Sequence, residues 1–208
     1  MTEIAGAPPR EGGETKMSLE TERLLLREWE DDDLDPLSKI NDDPRVVRYV
    51  AQLPSREAVQ KWILTQKEHF SQHGYGLWAL ERLGVEGLIG FCGIVQVPYH
   101  AHFTPAVEIA WRLAPSAWGH GFATEAASAA MSFGFKHLGL KEIVANAAIE
   151  NSESRRVMER LGMTHDPRDD FDHPLKAADD PLRHQVLYRM KGQDWINNIR
   201  FNFNLGAS

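Results

Sequence analysis

Hydrophobic and polar positions along the chain predict an α+β fold. Six short apolar runs have the character of β-strands and lie at 23–29, 76–83, 88–97, 106–113, 142–149 and 185–190. Four segments carry apolar residues at helical spacing and lie at 34–40, 55–72, 123–138 and 151–161. The resulting order, β-α-α-β-β-β-α-β-α-β, favours a mixed sheet with helical crossovers between its central strands.

Capping residues and glycines mark where these elements end. We expect Asp31–Asp33 to cap the helix that begins near Leu34, and Ser55 and Asn151 to cap the second and fourth helices. Gly84 and Gly87 are expected to bracket a hairpin turn between two strands. A polar loop over 166–181 is expected before the last strand.

Composition narrows the classes of function. The 208 residues include 23 Lys and Arg against 30 Asp and Glu, a net charge of −7, which argues against binding to duplex nucleic acid. The single cysteine, Cys92, excludes an internal disulfide and fits a reducing compartment, so we expect a cytoplasmic protein. No apolar run is long enough to cross a membrane.

The chain is expected to fold as one domain with two tails. Residues 1–17, rich in Pro, Gly and Glu, are predicted to form a disordered leader, and 18–192 the domain. In the tail, 193–208, apolar and polar residues alternate over 199–205, the period of a strand. We expect this tail to add to a sheet edge of its own chain or of a second subunit in a homodimer; a frayed tail is the alternative.

The segment PSAWGHGFATEA, residues 115–126, places Gly119 and Gly121 at the entrance of a predicted helix. Such glycines serve either a tight turn or a phosphate site at a helix N-terminus. A dinucleotide-binding motif would need a third glycine where Thr124 stands, and a Walker loop would need Gly-Lys-Ser/Thr. The sequence has neither.

Several motifs together resemble the cofactor-binding core of GNAT acetyltransferases, in the branch that includes the ribosomal-protein N-terminal acetyltransferases. They are VEIAWRL (107–113), P-x-x-W-G-x-G-F-A-T-E-A (115–126), N-x-x-S (151–154), L-G-M (161–163) and LETERLLLREW (19–29). The resemblance covers about 19–190. It implies the GNAT fold, an α+β domain whose mixed central sheet is flanked by helices, and an enzyme that moves acetyl from acetyl-CoA to a primary amine. The alternative is a non-catalytic sensor that binds acyl-CoA.

The resemblance also implies which residues hold acetyl-CoA. Its pyrophosphate is expected at the backbone N–H groups of Trp118, Gly119, His120, Gly121, Phe122, Ala123 and Thr124. The pantetheine arm is expected to pair with the backbone of Trp111, Arg112 and Leu113, and to accept a hydrogen bond from Asn151. One position departs from the wider superfamily, because Ser116 stands where Gln or Arg is usual.

Two residues are candidates for the chemistry of direct amine attack. Glu108, at the start of the strand that would face the thioester, is the candidate base; the alternative is a solvated carboxylate at a strand end. Ser154 is the candidate contact to the departing thiolate; the alternative is an N3 residue that only completes a helix cap. The histidines show no metal-ligand spacing, and no metal site is predicted.

The loop 166–184 contains six aspartates and, in the family, borders the acceptor site together with the 41–56 loop. We expect Phe171, Asp172 and His173 to shape a pocket for a cationic amine. A solvated acidic loop is the alternative. The resemblance implies a protein N-terminus or a small cationic amine as the acceptor, and the acidic loop does not distinguish between them.

Overall fold

The computed structural model describes residues 16–197 of the chain. Within this range the α-helices are α1 (Leu34–Asp42), α2 (Arg56–His73), α3 (Phe122–Lys136) and α4 (Ser152–Arg160). The strands are β1 (Leu19–Glu20), β2 (Leu24–Arg27), β3 (Leu77–Arg82), β4 (Val85–Gln96), β5 (Val107–Leu113), β6 (Glu142–Ala148), β7 (Thr164–His165), β8 (Phe171–Asp172) and β9 (His184–Lys191). Residues 192–197 are also helical. The leader, except its last residues, and the alternating segment 199–205 lie outside the described residues.

The chain divides into two compact units. Within the described residues, the first unit comprises 16–95 and 110–130, and the second comprises 96–109 and 131–197.

The first unit is built on antiparallel strands whose side chains form an apolar core. β2 pairs with β3, so Leu26 lies opposite Leu80, and β3 pairs with β4, so Trp78 lies opposite Cys92. All four side chains and that of Ile94 are 0% exposed. Burial raises the pKa of the Cys92 thiol well above its usual range, which fits a core residue rather than a nucleophile.

The second unit is organised around β6, which has a parallel neighbour and an antiparallel one. It pairs with β5 where Glu108 lies opposite Val144, and with β9 from Glu142–Lys191 to Ala148–Gln185. β7 and β8 both pair with β9. Parallel and antiparallel pairing together make the sheet mixed, and the predicted α+β class is confirmed.

The predicted ends of α2 and α4 are confirmed by their cap geometry. The Ser55 hydroxyl accepts a hydrogen bond from the Ala58 N–H at 3.2 Å, and Gly74 ends α2 with φ 72°. Asn151 Oδ1 accepts from the Ser154 N–H at 3.1 Å. These bonds satisfy backbone groups that a helix end leaves free.

Two expectations about local structure are wrong. Asp33 makes no cap hydrogen bond to α1; with Glu30 it instead forms a capping box on the 3₁₀ turn Asp31–Asp33. Gly87 lies inside β4 rather than in the hairpin turn, because β4 starts at Val85 and shifts register opposite β3. The polar loop also contains β8, whose two residues are too few to produce a strand pattern.

A buried ion-pair network explains why Asp33 faces inward. Its carboxylate accepts two hydrogen bonds from the Arg27 guanidinium, both at 2.7 Å, and Asp33 is only 3% exposed. Arg27 also pairs with Glu81 on β3. Hydrogen bonding to Asp33, against the effect of burial, raises the pKa of Arg27 above its usual range. The network thus ties β2, β3 and the turn before α1 together.

We expect Asp33→Asn to lower the free energy of unfolding by about 3 kcal/mol, because it leaves a buried guanidinium short of one carboxylate. Urea denaturation measures the change. Asp32→Asn is the matched control, since Asp32 is exposed and should change stability by less than about 0.5 kcal/mol. Equal effects of the two substitutions would contradict a structural role for the network.

Candidate active site

The glycines of the motif are required by backbone conformation. Gly119 has φ 78° and Gly121 has φ 80°, in the left-handed region that other residues rarely adopt. No heavy atom lies within 4 Å of the place a Gly119 Cβ would take, and only the Arg23 guanidinium, at 3.6 Å, lies near that of Gly121. The turn therefore needs glycine for its shape, while the space beside it stays open to a ligand.

The same turn presents a row of free backbone donors. The first intrahelical bond of α3 runs from the Glu125 N–H to the Gly121 carbonyl at 3.0 Å. In the described part of the chain, no acceptor takes the N–H groups of residues 119–124. Free donors at a helix N-terminus, together with the helix dipole, favour an anion such as a phosphate. Residues 119–124 therefore fit a pyrophosphate, whereas the Trp118 N–H, which was predicted as a further donor, is engaged by the Pro115 carbonyl at 3.2 Å.

Glu125 in the first turn of α3 anchors this turn to the segment before β2. Its carboxylate accepts hydrogen bonds from the Thr21 hydroxyl at 2.6 Å, the Arg23 N–H at 3.0 Å and Arg23 Nε at 2.7 Å. Arg23 Nη1 also donates to the His120 carbonyl at 3.1 Å. Burial alone would raise the pKa of Glu125, but these hydrogen bonds outweigh it and lower that pKa.

Two arginines place positive charge beside the same turn. The guanidinium of Arg23 lies 4.8 Å, and that of Arg82 5.3 Å, from the centre of the Phe122 ring. Arg82 is exposed at the end of β3. Cations at this place add to the attraction of the free N–H groups for an anion.

The end of β5 leads directly into the turn. The Leu113 carbonyl accepts a hydrogen bond from Trp118 Nε1 at 2.8 Å. Trp118 is 37% exposed, and His120 is exposed as well. A carbonyl oxygen has two lone pairs, so this bond leaves Leu113 able to accept another.

Arg112 holds the loop between α1 and α2. Its guanidinium donates to Asn41 Oδ1 at 2.9 Å and to the Ala51 carbonyl at 2.8 Å. Asn41 in turn pairs with the backbone of Leu53 through both its side-chain atoms. Burial lowers the pKa of Arg112 to about 10, which leaves it charged at neutral pH. Its side chain therefore positions a loop predicted to border the acceptor.

The second unit contains the candidate base. Glu108 lies at the start of β5, as predicted, and its Oε2 accepts a hydrogen bond from Asn146 Nδ2 at 2.8 Å. Burial raises the pKa of Glu108 to about 7, while the bond from Asn146 opposes that rise. The Tyr99 hydroxyl lies 3.4 Å from the same Asn146 nitrogen. This carboxylate is not the fully solvated strand-end group of the alternative reading.

Asn151 and Ser154 lie at the N-terminus of α4. Asn151 is 8% exposed, and its Oδ1 is engaged by the Ser154 N–H. No protein acceptor in residues 16–197 takes the Asn151 Nδ2 group or the Ser154 hydroxyl, so both can donate to a ligand. The bond from the Ser154 N–H to Asn151 is the helix cap that the alternative interpretation of Ser154 expects. It does not test the predicted contact of the Ser154 hydroxyl to a thiolate.

The residues proposed for acceptor binding have three different surroundings. Phe171 is 8% exposed and packs in a small cluster with Val144 and Leu187. The His173 ring lies 4.4 Å from that of Tyr99, between centres. Asp172 pairs with Arg183 and His184 at the surface. The His173 ring therefore lies next to Tyr99, whose hydroxyl is close to the Asn146 amide that binds Glu108. Phe171 is a packing residue.

Most aspartates of the 166–184 loop have cationic partners. Of the six, four pair with Arg or Lys: Asp166 with Arg168, Asp169 with Arg189, Asp172 with Arg183, and Asp180 with Lys176. Asp170 lies 2.8 Å from the His165 ring, which is a cation only when protonated. Because of these pairs, fewer carboxylates of the loop are left unpaired for a cationic acceptor than the sequence alone suggested.

Sequence reasoning missed the side chains that support the named residues. Asn146, Tyr99 and Glu125 carry no motif of their own in a single sequence. Alternation along β6 could have placed Asn146 on the face of Val144, because residues two apart share a face. Nothing comparable indicates Tyr99, which lies in an irregular segment before β5.

Other kinds of site find no support in the described residues. Within 16–197, no three His, Cys, Asp or Glu side chains are arranged to hold a metal ion. None of the helices there combines the length and apolar character needed to span a membrane.

Comparison with known proteins identifies the family. The model of the acetyltransferase (GNAT) domain matches residues 23–164, more than half of the chain. The chain therefore belongs to the GNAT acetyltransferases and is an acetyltransferase enzyme. The predicted family and fold are confirmed, and members of the family use acetyl-CoA.

Individual relatives agree with this assignment. The uncharacterized protein YkkB of Bacillus subtilis is 32% identical over 149 residues, which cover 71% of this chain and 86% of YkkB. The FsC-acetyl coenzyme A-N(2)-transacetylase of Aspergillus fumigatus is 27% identical over 188 residues, which cover 86% of this chain and 78% of that protein.

Solved structures share the fold. A GNAT acetyltransferase from Bacillus anthracis has a TM-score of 0.70 and 25% identity, covering 85% of this chain and 99% of its own. RimJ of Mycobacterium smegmatis, solved in complex with CoA-disulfide, has a TM-score of 0.67 and 22% identity, covering 82% and 83%.

We expect Glu125→Gln to lower the free energy of unfolding at pH 7 by about 1–2 kcal/mol, because the amide cannot accept all three hydrogen bonds as a charged acceptor. A carboxyl whose pKa is lower in the folded state stabilises the fold fully at any pH above its pKa in the unfolded chain, about 4.3. It loses that effect as the pH falls through its pKa in the folded state. The loss of stability in Glu125→Gln should therefore be smaller in acid than at pH 7, and urea titrations at pH 7 and in acid measure it.

Glu22→Gln is the matched control for that experiment, because Glu22 is exposed and makes no hydrogen bond or ion pair in the described structure. A deficit in Glu125→Gln that is equally large at low pH would show that the charge of Glu125 is not what anchors the turn.

Proposed function

We propose that this enzyme transfers the acetyl group of acetyl-CoA to a primary amine by direct attack, with Glu108 as the base. The observation that carries the proposal is the half-buried Glu108 carboxyl, whose pKa is raised by burial to about 7. A base works best when its pKa lies near the working pH, because it is then both ionised and able to accept a proton.

The donors of the glycine turn support acetyl-CoA as the acetyl donor. Its pyrophosphate would be held by the backbone N–H groups of residues 119–124, next to the positive charge of Arg23 and Arg82. The backbone of Trp111, Arg112 and Leu113 would pair with the amides of the pantetheine arm, as an added strand does. When bound, acetyl-CoA supplies a thioester carbonyl carbon that an amine can attack.

Glu108 would remove the proton that the amine must lose. An alkylammonium group has a pKa near 10 and a protein α-ammonium group one near 8, so most of either acceptor is protonated at pH 7 and cannot attack. A carboxylate in low-dielectric surroundings binds a proton more strongly than one in water, so Glu108 can accept it directly or through a water molecule. The carboxyl then returns the proton to solvent.

Asn151 and Ser154 would act on the cofactor side. The Asn151 amide has Nδ2 hydrogens left for a carbonyl of the pantetheine arm, because its Oδ1 is engaged in the helix cap. The Ser154 hydroxyl would donate a hydrogen bond to the departing thiolate. A hydroxyl is a weak acid, so this role is stabilisation of negative charge rather than full proton transfer.

The acceptor is proposed to be a protein N-terminus or a small cationic amine, with Phe171, Asp172 and His173 near its site. The fungal relative is named as an acetyl coenzyme A N(2)-transacetylase, which fits an amine nitrogen as acceptor. A sensor that binds acyl-CoA without transfer is the second candidate, and no feature of the described residues favours it over an enzyme.

Calorimetric titration with acetyl-CoA should give micromolar binding to the wild type and none to Gly121→Glu, because the new side chain adds bulk and negative charge beside the phosphate donors. Gly84→Glu is the matched control. Gly84 also has positive φ, 74°, and no atom lies within 4 Å of its Cβ position, so the substitution adds the same strain and charge elsewhere.

Two results would contradict the proposed cofactor site: no binding to the wild type, or equal loss of binding in both glutamate variants. Binding without release of free thiol in a broad screen of amines would instead favour the sensor.

Glu108→Gln should lower kcat/KM by about 10²- to 10⁴-fold at pH 8 and leave acetyl-CoA binding unchanged. In the wild type, kcat/KM should rise with pH through about 7, as Glu108 loses its proton. The variant should lack this limb and keep only the rise caused by the amine itself. Glu86→Gln, at an exposed position, is the control. A variant that keeps the limb near pH 7 would exclude Glu108 as the base.

A further inference from the structure

We propose that Asn146 is a positioning residue that orients the Glu108 carboxyl and keeps it available as a base near neutral pH. The inference rests on the proposed role of Glu108. It goes beyond that role because it assigns a function to a side chain on a different strand, which the motifs of the sequence do not include.

Strand geometry places the two side chains together. Glu108 on β5 lies opposite Val144 on β6, and Asn146 is two residues further along β6. Residues two apart on a strand share a face, so Asn146 is the diagonal neighbour of Glu108. β6 also pairs with β9, where Asn146 lies opposite Leu187. The amide therefore projects from a strand that is paired on both sides and is held in place.

The contact itself is directional. A carboxylate can only accept hydrogen bonds, so the amide must turn its Nδ2 towards Glu108 Oε2, at 2.8 Å. The same nitrogen lies 3.4 Å from the Tyr99 hydroxyl. The two hydrogens of Nδ2 can thus serve both oxygens, which fixes the amide and, through it, the carboxylate.

Burial and this hydrogen bond act on Glu108 in opposite directions. Withdrawal from water favours the neutral acid, whereas a donor to the carboxylate favours the ionised base. Without the Asn146 amide, a larger fraction of Glu108 would be protonated at neutral pH and unable to accept a proton. Asn146 therefore sets the pH above which the enzyme works.

Within residues 16–197, burial and the Asn146 hydrogen bond are the effects that act on the pKa of Glu108. Tyr99 stays neutral, because burial and the nearby Glu108 raise its pKa. Burial lowers the pKa of His173, whose ring lies 4.4 Å from that of Tyr99, between centres. On β9, Arg189 lies opposite Val144, but it is held by ion pairs to Glu142 and Asp169.

The test compares Asn146→Ala and Asn146→Asp with the wild type. The acid limb of kcat/KM should move up by about one pH unit in Asn146→Ala, and further in Asn146→Asp, which adds a like charge. KM for acetyl-CoA should stay unchanged. Asn197→Ala is the control: it removes an exposed side-chain amide that makes no hydrogen bond in the described structure, so its limb should stay near 7.

A second readout does not depend on turnover. Titration of the Glu108 side-chain carboxyl by ¹³C NMR, identified through Glu108→Gln, should show the same upward shift in folded Asn146→Ala. An unchanged carboxyl pKa in a folded variant would overturn the proposal and leave Asn146 as a packing residue. A shifted carboxyl pKa in an enzyme that transfers no acetyl group would support the positioning role of Asn146 and refute the proposed function.

Discussion

The close approach of β4 and β5 is the constraint on which the first unit depends. A Cβ at Gly90 would lie 2.1 Å from the Arg112 carbonyl oxygen, so only glycine allows the two backbones to come this near. The Ala114 N–H then bonds to the Ile89 carbonyl at 2.8 Å, which fixes the exit of β5. This contact holds the end of β5 in place. The glycine turn with its free N–H donors follows directly after β5, and Arg112 on β5 anchors the α1–α2 loop.

In the second unit, the opposing effects of burial and hydrogen bonding on one carboxyl matter most. A carboxylate that is removed from water without a partner is costly, and it responds by taking up a proton. Glu108 accepts a hydrogen bond from Asn146, which lowers its pKa while burial raises it. Its carboxylate is therefore less favoured than in water but more favoured than in a buried site without a donor. The carboxyl is largely withdrawn from water, and β6, which is paired with strands on both sides, keeps the carboxylate and its donor aligned.

The sequence was informative where a residue type has a single physical use. Gly119 and Gly121 were predicted from their place before a helix, and their positive φ values agree. Ser55 and Asn151 were predicted as caps because short polar side chains bond backbone N–H groups. The sequence misled at Asp33, since an acidic residue before a helix can either cap it or, as here, neutralise a buried arginine. The contact of Asn146 to Glu108 could not be found, because it depends on pairing between β5 and β6, which are distant in sequence. Tyr99 could not be found either, because it lies in an irregular segment that carries no pattern.

The paired aspartates of the 166–184 loop have a consequence for how an acceptor arrives. Opposite charges a few ångströms apart cancel at distances beyond about 10 Å, and salt screens what remains. The pairs therefore contribute little to the field at long range, and what remains comes from the excess of acidic residues, six aspartates against three Lys and Arg in this loop and a net charge of −7 for the chain. A positively charged acceptor is attracted by this diffuse excess of charge rather than by the paired carboxylates, so its association rate should fall as the ionic strength rises.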